Sequence, residues 1–220
     1  STFAAYLIES RAHKKTKILR KRRMKRIDVL NNHYILCGAD HVGIRIAEEF
    51  YLAKAPFIII EADEIKLKNA LLYSHPDYFQ QKIQSFVDIA DVDLSEYEDR
   101  TIAELGEMLD TPYILDDPVN DNALVKAGID RAAGLIAAMP DERDNLAIVI
   151  GARALADRFD NANLRLMARV DDGQMMRKMY FSGANAVRIP AVMSGLEMAM
   201  HMMHPEIGNW WYSLIGINKT

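Results

Sequence analysis

Apolar positions along this chain change between a strand period and a helix period, and the changes mark its elements. Tyr34–Cys37 is an apolar run leading into Gly38, and around Gly43 the residues Val42, Ile46, Ala47 and Phe50 recur at three- and four-residue spacing. That succession predicts a buried strand, a tight glycine turn and an amphipathic helix, the first βα unit of a Rossmann-like sheet. Residues 57–60 are a second β-rich run, closing on Glu61, and Asp63 is placed to cap a helix over residues 64–72. A helical pattern over 101–109 puts Ile102, Leu105, Met108 and Leu109 on one face. The third strand is Tyr113–Leu115, ending in Asp116-Asp117-Pro118. A short helix over 122–127 closes at Gly128, and residues 129–132 lead into a fourth strand at 134–138. Pro140-Asp141-Glu142 opens a long helix with Asn145, Ile148, Val149 and Ala152 along one face. A fifth strand over 164–168 ends in Arg169. A helix over 172–181 is capped by Gly183, and a sixth strand over 186–189 precedes Pro190. Strands and helices alternate without an internal repeat, which predicts an α/β fold: a doubly wound parallel sheet covered on both faces.

Three stretches do not fit that alternation. Residues 1–30 read as a helix that begins apolar and becomes intensely basic, with ten Lys/Arg against Glu9 and Asp28. The other 190 residues hold 17 basic and 29 acidic side chains, so a net charge of −4 conceals a chain of +8 followed by −12. Ile18, Leu19, Met24 and Ile27 are too sparse to bury a full helix face. Three readings stand: a solvated charged helix, a juxtamembrane segment whose cations meet anionic headgroups, and a phosphate-binding arm. The last lacks aromatic interleaving and a recognisable nucleic-acid module, so nucleic acid is not expected as a partner. Residues 74–111 exceed what a minimal βαβ unit needs, and from Asp88 to Asp117 eleven acids face a single Arg100. This reads as an exposed acidic insert; a divalent-cation site or a dock for a basic partner are the other readings. Asp88, Asp91 and Asp93 lack the glycine and glutamate of an EF-hand loop. The end of the chain is a methionine-dense helix followed by Trp210, Trp211 and Tyr212, too apolar for a solvated terminus and suited to packing on another subunit.

Charge and composition exclude several classes. The single Cys37 lies within the first strand, which rules out a disulfide framework and a cysteine metal cluster and fits a reducing compartment. No apolar run approaches the roughly 20 residues that span a bilayer; residues 3–8 are too short and are followed, not preceded, by cations, so they are no signal peptide. The first residue is Ser1 rather than Met, as in a piece excised from a longer protein.

Candidate chemistry concentrates at the first turn. Gly38 and Gly43 stand where a dinucleotide fingerprint has its first and last glycine, but Asp40 takes the middle place, where backbone must approach a pyrophosphate. Glu61, 18 residues beyond Gly43, is at the spacing of an acid that binds a ribose hydroxyl pair. Of the six histidines only His41 is near the turn, and it has no recognisable acid or nucleophile partner.

The succession HYILCGADHVG, FIIIEAD, YILDDP…DNALVKAGIDRAAGLIAAMPDERDNL, NLRLMARV and YFSGANAVRIP resembles the regulator-of-potassium-conductance (RCK) domain of the TrkA-N type, the cytoplasmic module of prokaryotic potassium channels and uptake systems. The resemblance covers residues 32–205, and residues 127–146 are its most specific part. It implies nucleotide contacts at Gly38, Ala39, Asp40, His41, Val42 and Gly43, with Glu61 as the second-strand acid. It places Asp117 as the aspartate of the family's Gly-Asp pair and Arg169 as a ligand or domain contact. Asp116 replaces the glycine of that pair. The implied ligand is NAD(H) or another adenine nucleotide, or in some members a divalent cation; no metal-ligand set is assignable. The implied organisation is a linker helix over 1–31, an RCK lobe over 32–190 and a crossover helix with tail over 191–220. The implied partners are copies of the same chain, dimers building a tetrameric or octameric gating ring, and a transmembrane pore upstream at the cytoplasmic face of the membrane. The function expected is thus a non-enzymatic, ligand-sensing gating domain of a potassium channel. An NAD-dependent oxidoreductase domain and an assembly-only domain with an empty site are the alternatives.

Overall fold

The computed structural model describes residues 2–74 and 100–204. Its elements are α1 (Thr2–Val29), β1 (Tyr34–Cys37), α2 (His41–Leu52), β2 (Phe57–Glu61), α3 (Glu64–Tyr73), α4 (Ile102–Met108), β3 (Tyr113–Leu115), α5 (Asp121–Lys126), a 3₁₀ turn at Ile129–Arg131, β4 (Gly134–Ala137), α6 (Glu142–Arg158), β5 (Arg165–Arg169), α7 (Gly173–Phe181), β6 (Ala186–Arg188) and α8 (Pro190–Met203). The strands form one parallel sheet in the order β3-β2-β1-β4-β5-β6. This is the doubly wound order of a Rossmann sheet, with its switch point between β1 and β4. The predicted strands are present, with edges at 134–137, 165–169 and 186–188 a residue away from those read in the sequence.

Side-chain alternation along the strands divides the core in two. Ile35, Cys37, Ile58, Ile60, Leu135 and Leu166 meet α5, α6 and α7 on one face, including the predicted Ile148, Val149 and Ala152. Leu36, Ile59 and Tyr113 meet Ala47 of α2, Leu67 and Leu71 of α3, and Ile102 and Leu105 of α4 on the other. Strands buried on both faces read as continuous apolar runs, which is why β1 and β2 were legible. Helix starts are fixed by side-chain caps: Asp40, Asp63, Thr101, Asn120, Asp141 and Asp172 each accept from amides of the first turn.

Among the described residues the second face is incompletely covered. Over β4–β6 it presents Ile136, Met167 and Ala186 beside Phe50, lining an open groove of about 260 Å³. Helix α8 buries no residue against the rest of the described chain and exposes Val192, Met193, Leu196, Met198, Met202 and Met203. The Asp88–Asp93 spacing and the Trp210–Trp211 cluster lie outside the described residues.

The basic helix is not merely solvated. Its last turn enters the core through Ile27, which is fully buried, with Met24 and Leu30 packed beside it. Arg131 donates to the carbonyls of Leu30 (2.7 Å), just past the helix, and Ile27 (3.0 Å), in its last turn, tying the end of α1 to the 3₁₀ turn. Along its flank Lys15 pairs with Glu104, Arg22 with Glu107 (3.3 Å), and Arg26 with Glu107 (3.4 Å) and Asp110. The Arg23 guanidinium lies 4.0 Å from the centroid of the Tyr113 ring. The acidic stretch is therefore in part a dock for this chain's own linker. The exposed-insert reading is corrected for α4: Ile102 and Leu105 are buried, and the helix belongs to the β2–β3 crossover.

Candidate functional site

Parallel strands carry their loops to one edge, and at the switch point the loops after β1 and β4 part in opposite directions to leave a crevice. The turn after β1 forms one wall. Gly38 has φ +105°, and a Cβ there would lie 2.9 Å from the Ala138 carbonyl oxygen at the end of β4. A Cβ on Gly43 would lie 2.2 Å from the Gly38 carbonyl oxygen. Both glycines are demanded by the chain's own packing, of strand end on strand end and of helix on turn.

Asp40, in the middle place, meets no such demand. Its backbone is extended (φ −78°, ψ −173°), a conformation any residue adopts. Its carboxylate caps α2, with Oδ1 accepting from the amides of Val42 (3.0 Å) and Gly43 (3.1 Å). Oδ2 accepts from Arg169 at 2.6 Å, across 129 residues of sequence. The pair is well buried, with side-chain exposures of 9% for Asp40 and 16% for Arg169. Arg169 also reaches Asp171 at 3.5 Å and keeps a buried Nε–H with no partner among the described residues. Glu61 is buried too: Oε2 accepts from the amide of Ala39 and Oε1 from that of Asp63, each at 2.9 Å.

Gly38, Ala39, Asp40, Val42, Gly43, Glu61 and Arg169 thus gather at the glycine turn, in one set of bonds around Asp40 and a second around Glu61. Two expected residues stand apart from these. His41 is exposed on the first turn of α2, and Asp117 is exposed beyond β3, where it caps its own turn by accepting from Val119 at 2.9 Å. Its neighbour Asp116 donates its amide to the Glu61 carbonyl (3.1 Å), and Lys126 beside its carboxylate holds that carboxyl below the usual range. Cys37, just behind the turn, is fully buried, and burial pushes its thiol pKa up, so it is no thiolate nucleophile.

Asn145 is a member of the cluster whose role in the site sequence reading missed. Buried on α6, it accepts from the Met139 amide (2.8 Å) and donates to the carbonyls of Met139 (2.9 Å) and Arg169 (3.0 Å), fixing the ends of β4 and β5 together. An amide side chain on an otherwise apolar helix face was the available signal. Glu142, accepting from the Asp171 amide at 3.0 Å, steadies the loop beyond Arg169.

The cluster can be tested against the nucleotide this fold holds in other proteins. At Glu61 each carboxylate oxygen retains a lone pair for a ribose hydroxyl, but the residue is 3% exposed and must be uncovered to offer it. At the pyrophosphate place the fit fails, since the Val42 and Gly43 amides are already bonded to a carboxylate. Among the described residues no group of three acids, histidines or cysteines converges to hold a metal ion, and no helix is long and apolar enough to cross a membrane.

Residues 90–190 match the TrkA-N domain family. Across its whole length the chain is 29% identical to the probable potassium channel protein 2 of Methanocaldococcus jannaschii, of which it covers 52%. It spans about half the length of the curated relatives it matches. Among solved structures, the TrkA-N domain of the Escherichia coli inner membrane protein ybaL is similar with a TM-score of 0.53 and 18% identity, covering 81% of this chain and 98% of that one. The GsuK RCK domain is similar with a TM-score of 0.50 and 20% identity, covering 80% of this chain and 29% of that one. These structural likenesses concern the fold. The chain is thus similar to TrkA-N domains over residues 90–190, and it folds as the Rossmann-like sheet of these solved structures.

Proposed function

We propose that this chain is the regulatory domain of a potassium channel, sensing a ligand in the switch-point crevice and passing the change to a pore through α1. The observation that carries this reading is the linker helix: it is seated on the same domain that forms the crevice, by Arg131 at its end and α4 along its flank. The whole-length similarity to a potassium channel protein, extending through the linker, supports it. The division into a linker over 1–31, a lobe over 32–190 and a crossover helix with tail over 191–220 belongs to the same proposal.

In this reading Gly38, Ala39, Asp40, His41, Val42, Gly43, Glu61, Asp117 and Arg169 line the sensor, and Glu61 takes the ribose of an adenine nucleotide. The domain performs no reaction on its ligand; differential affinity between two assembly states is sufficient for gating. It works at the cytoplasmic face of the membrane, with the pore on the same polypeptide. A second copy covers the groove over β4–β6 and the exposed α8, since soluble monomers rarely leave such apolar surface open. Dimers formed in this way build a tetrameric or octameric ring. A module that only assembles is the second reading, favoured by the internal bonding of the turn amides.

The test is potassium flux through the full-length protein in liposomes. Adenine nucleotides should change the flux, and Glu61→Gln should remove the response. Flux that ignores nucleotide in the wild type favours the assembly reading, and a gene without pore-forming helices rejects the channel altogether.

A further inference from the structure

We infer that Asp40 is a built-in substitute for the pyrophosphate, locked by Arg169, and that it makes the crevice select against ligands that bring a diphosphate to the turn. The inference deepens the proposed sensor and rests on that reading for its context. A helix N-terminus attracts an anion because its first amides lack intrahelical partners and its dipole favours negative charge. In α2 that anion is already present: one oxygen of Asp40 takes the Val42 and Gly43 amides and the other takes the Arg169 guanidinium at 2.6 Å.

Three features separate this from an ordinary helix cap. Asp63, Asp141 and Asp172 also cap helices at this edge of the sheet, and each accepts from first-turn amides as Asp40 does. Only Asp40 among these four lies on the glycine turn, where its Cβ and carboxylate fill the approach. The partner of Asp40 comes from β5, and the Arg169 carbonyl is held in turn by Asn145. The guanidinium therefore bridges from the β1 side of the switch point to the β5 side, a connection a bound diphosphate would otherwise supply. Finally, the backbone does not call for glycine here, so a charged side chain can occupy the place a fingerprint leaves open. Asp40 is extended rather than left-handed, and the steric demands of the turn are met at Gly38 and Gly43.

A diphosphate reaching these amides must displace the carboxylate, lose the Arg169 pairing and face a like charge. A ligand engaged at Glu61 alone meets none of these obstacles.

The experiment titrates NADH and ADP by calorimetry into the wild-type chain, Asp40→Gly and Asp40→Ser. The serine variant keeps a helix-capping hydroxyl while removing the charge, so it serves should the glycine variant fold poorly. At least tenfold tighter binding of NADH and ADP to the folded variant than to the wild type is the expected result. Equal affinity in wild type and variant, whether both bind or neither does, overturns the inference. Neither result touches the regulatory reading, which is judged by flux through the full-length protein and its response to Glu61→Gln.

Discussion

The two edges of this sheet are both held by arginine–carboxylate pairs between segments far apart in sequence, yet the pairs differ in kind. At the crevice edge Asp40 and Arg169 are 9% and 16% exposed, and each is bound to further groups that fix its position. At the linker edge Lys15 and Arg22 are 65% and 63% exposed, and their partners Glu104 and Glu107 on α4 are 26% and 34% exposed. A buried pair is costly to break because the survivor is left charged and unpaired; an exposed pair contributes little singly and is screened by salt. The crevice edge is thus built to hold one arrangement. The linker edge holds the flank of α1 through exposed pairs that salt can screen, while buried Ile27 anchors its last turn.

The largest effect expected is at Gly43. Alanine there meets the Gly38 carbonyl at 2.2 Å, backbone against Cβ, and should destabilise the chain by about 3 kcal/mol or more in urea unfolding. At the linker edge, Gly128→Ala meets the Arg131 guanidinium, which must give up its bonds to Leu30 and Ile27, and a φ of +79°, and should cost about 2 kcal/mol. Equal losses would remove the contrast between a rigid edge and a yielding one.

Arg169→Met should cost about 2–3 kcal/mol, somewhat less than a fully isolated buried charge because Asp40 keeps its two amide donors. Adding Asp40→Asn should recover most of that loss, and a double-mutant cycle in denaturant measures the coupling. Glu107→Gln at the linker edge should cost only about 0.5 kcal/mol.

His33 sharpens the comparison through pH. It is fully buried between linker and sheet, with Nε2 at 2.8 Å from the Ala127 carbonyl, and burial lowers its pKa from the ordinary 6.5. The Ala127 hydrogen bond and Asp130 oppose that shift and Arg131 adds to it, and burial prevails. The folded state therefore favours the neutral ring. Its contribution is complete above pH 6.5 and is lost as pH falls through the lowered value, so stability should decline on acidification. His33→Gln should flatten that slope in denaturation series run between pH 7 and pH 5.

The smallest effect is expected on the α1 clasp. Lys15, followed by Thr101, brings Glu104 to a pKa of about 2 from 4.5, so its contribution is complete above pH 4.5 and fades as pH falls toward 2. High salt should loosen the same contact near neutral pH, with under about 1 kcal/mol of global stability at stake. Hydrogen exchange of α1 amides should rise in 1 M salt while β1 stays protected; protection of α1 that ignores salt would contradict a clasp that salt can screen.

Much of the fold was legible because local rules and burial agree. β1 and β3 were read to the residue, Asp63 was read as a cap, and the face of Asn145, Ile148, Val149 and Ala152 is the buried one. The site was legible in part. Gly38, Gly43 and Glu61 carry a spacing that chemistry explains, whereas the bond from Asp40 to Arg169 joins residues 129 apart, and no periodicity reports such a pair. Asn145 was read as a helix-face residue, and only its three bonds reveal a role at the strand ends. The opposite charges of the linker and of the stretch before β3 were plain in the sequence, but not that they meet.

Sequence by itself determined the alternation of strands and helices, the glycine turn and the charge polarity of the chain, because each follows from side-chain period, backbone freedom or composition. Only the tertiary structure decided what neutralises Asp40 and where the basic helix rests. Those outcomes depend on which strand ends become neighbours when the sheet winds in two directions from β1, a matter of packing between distant segments that no local pattern encodes.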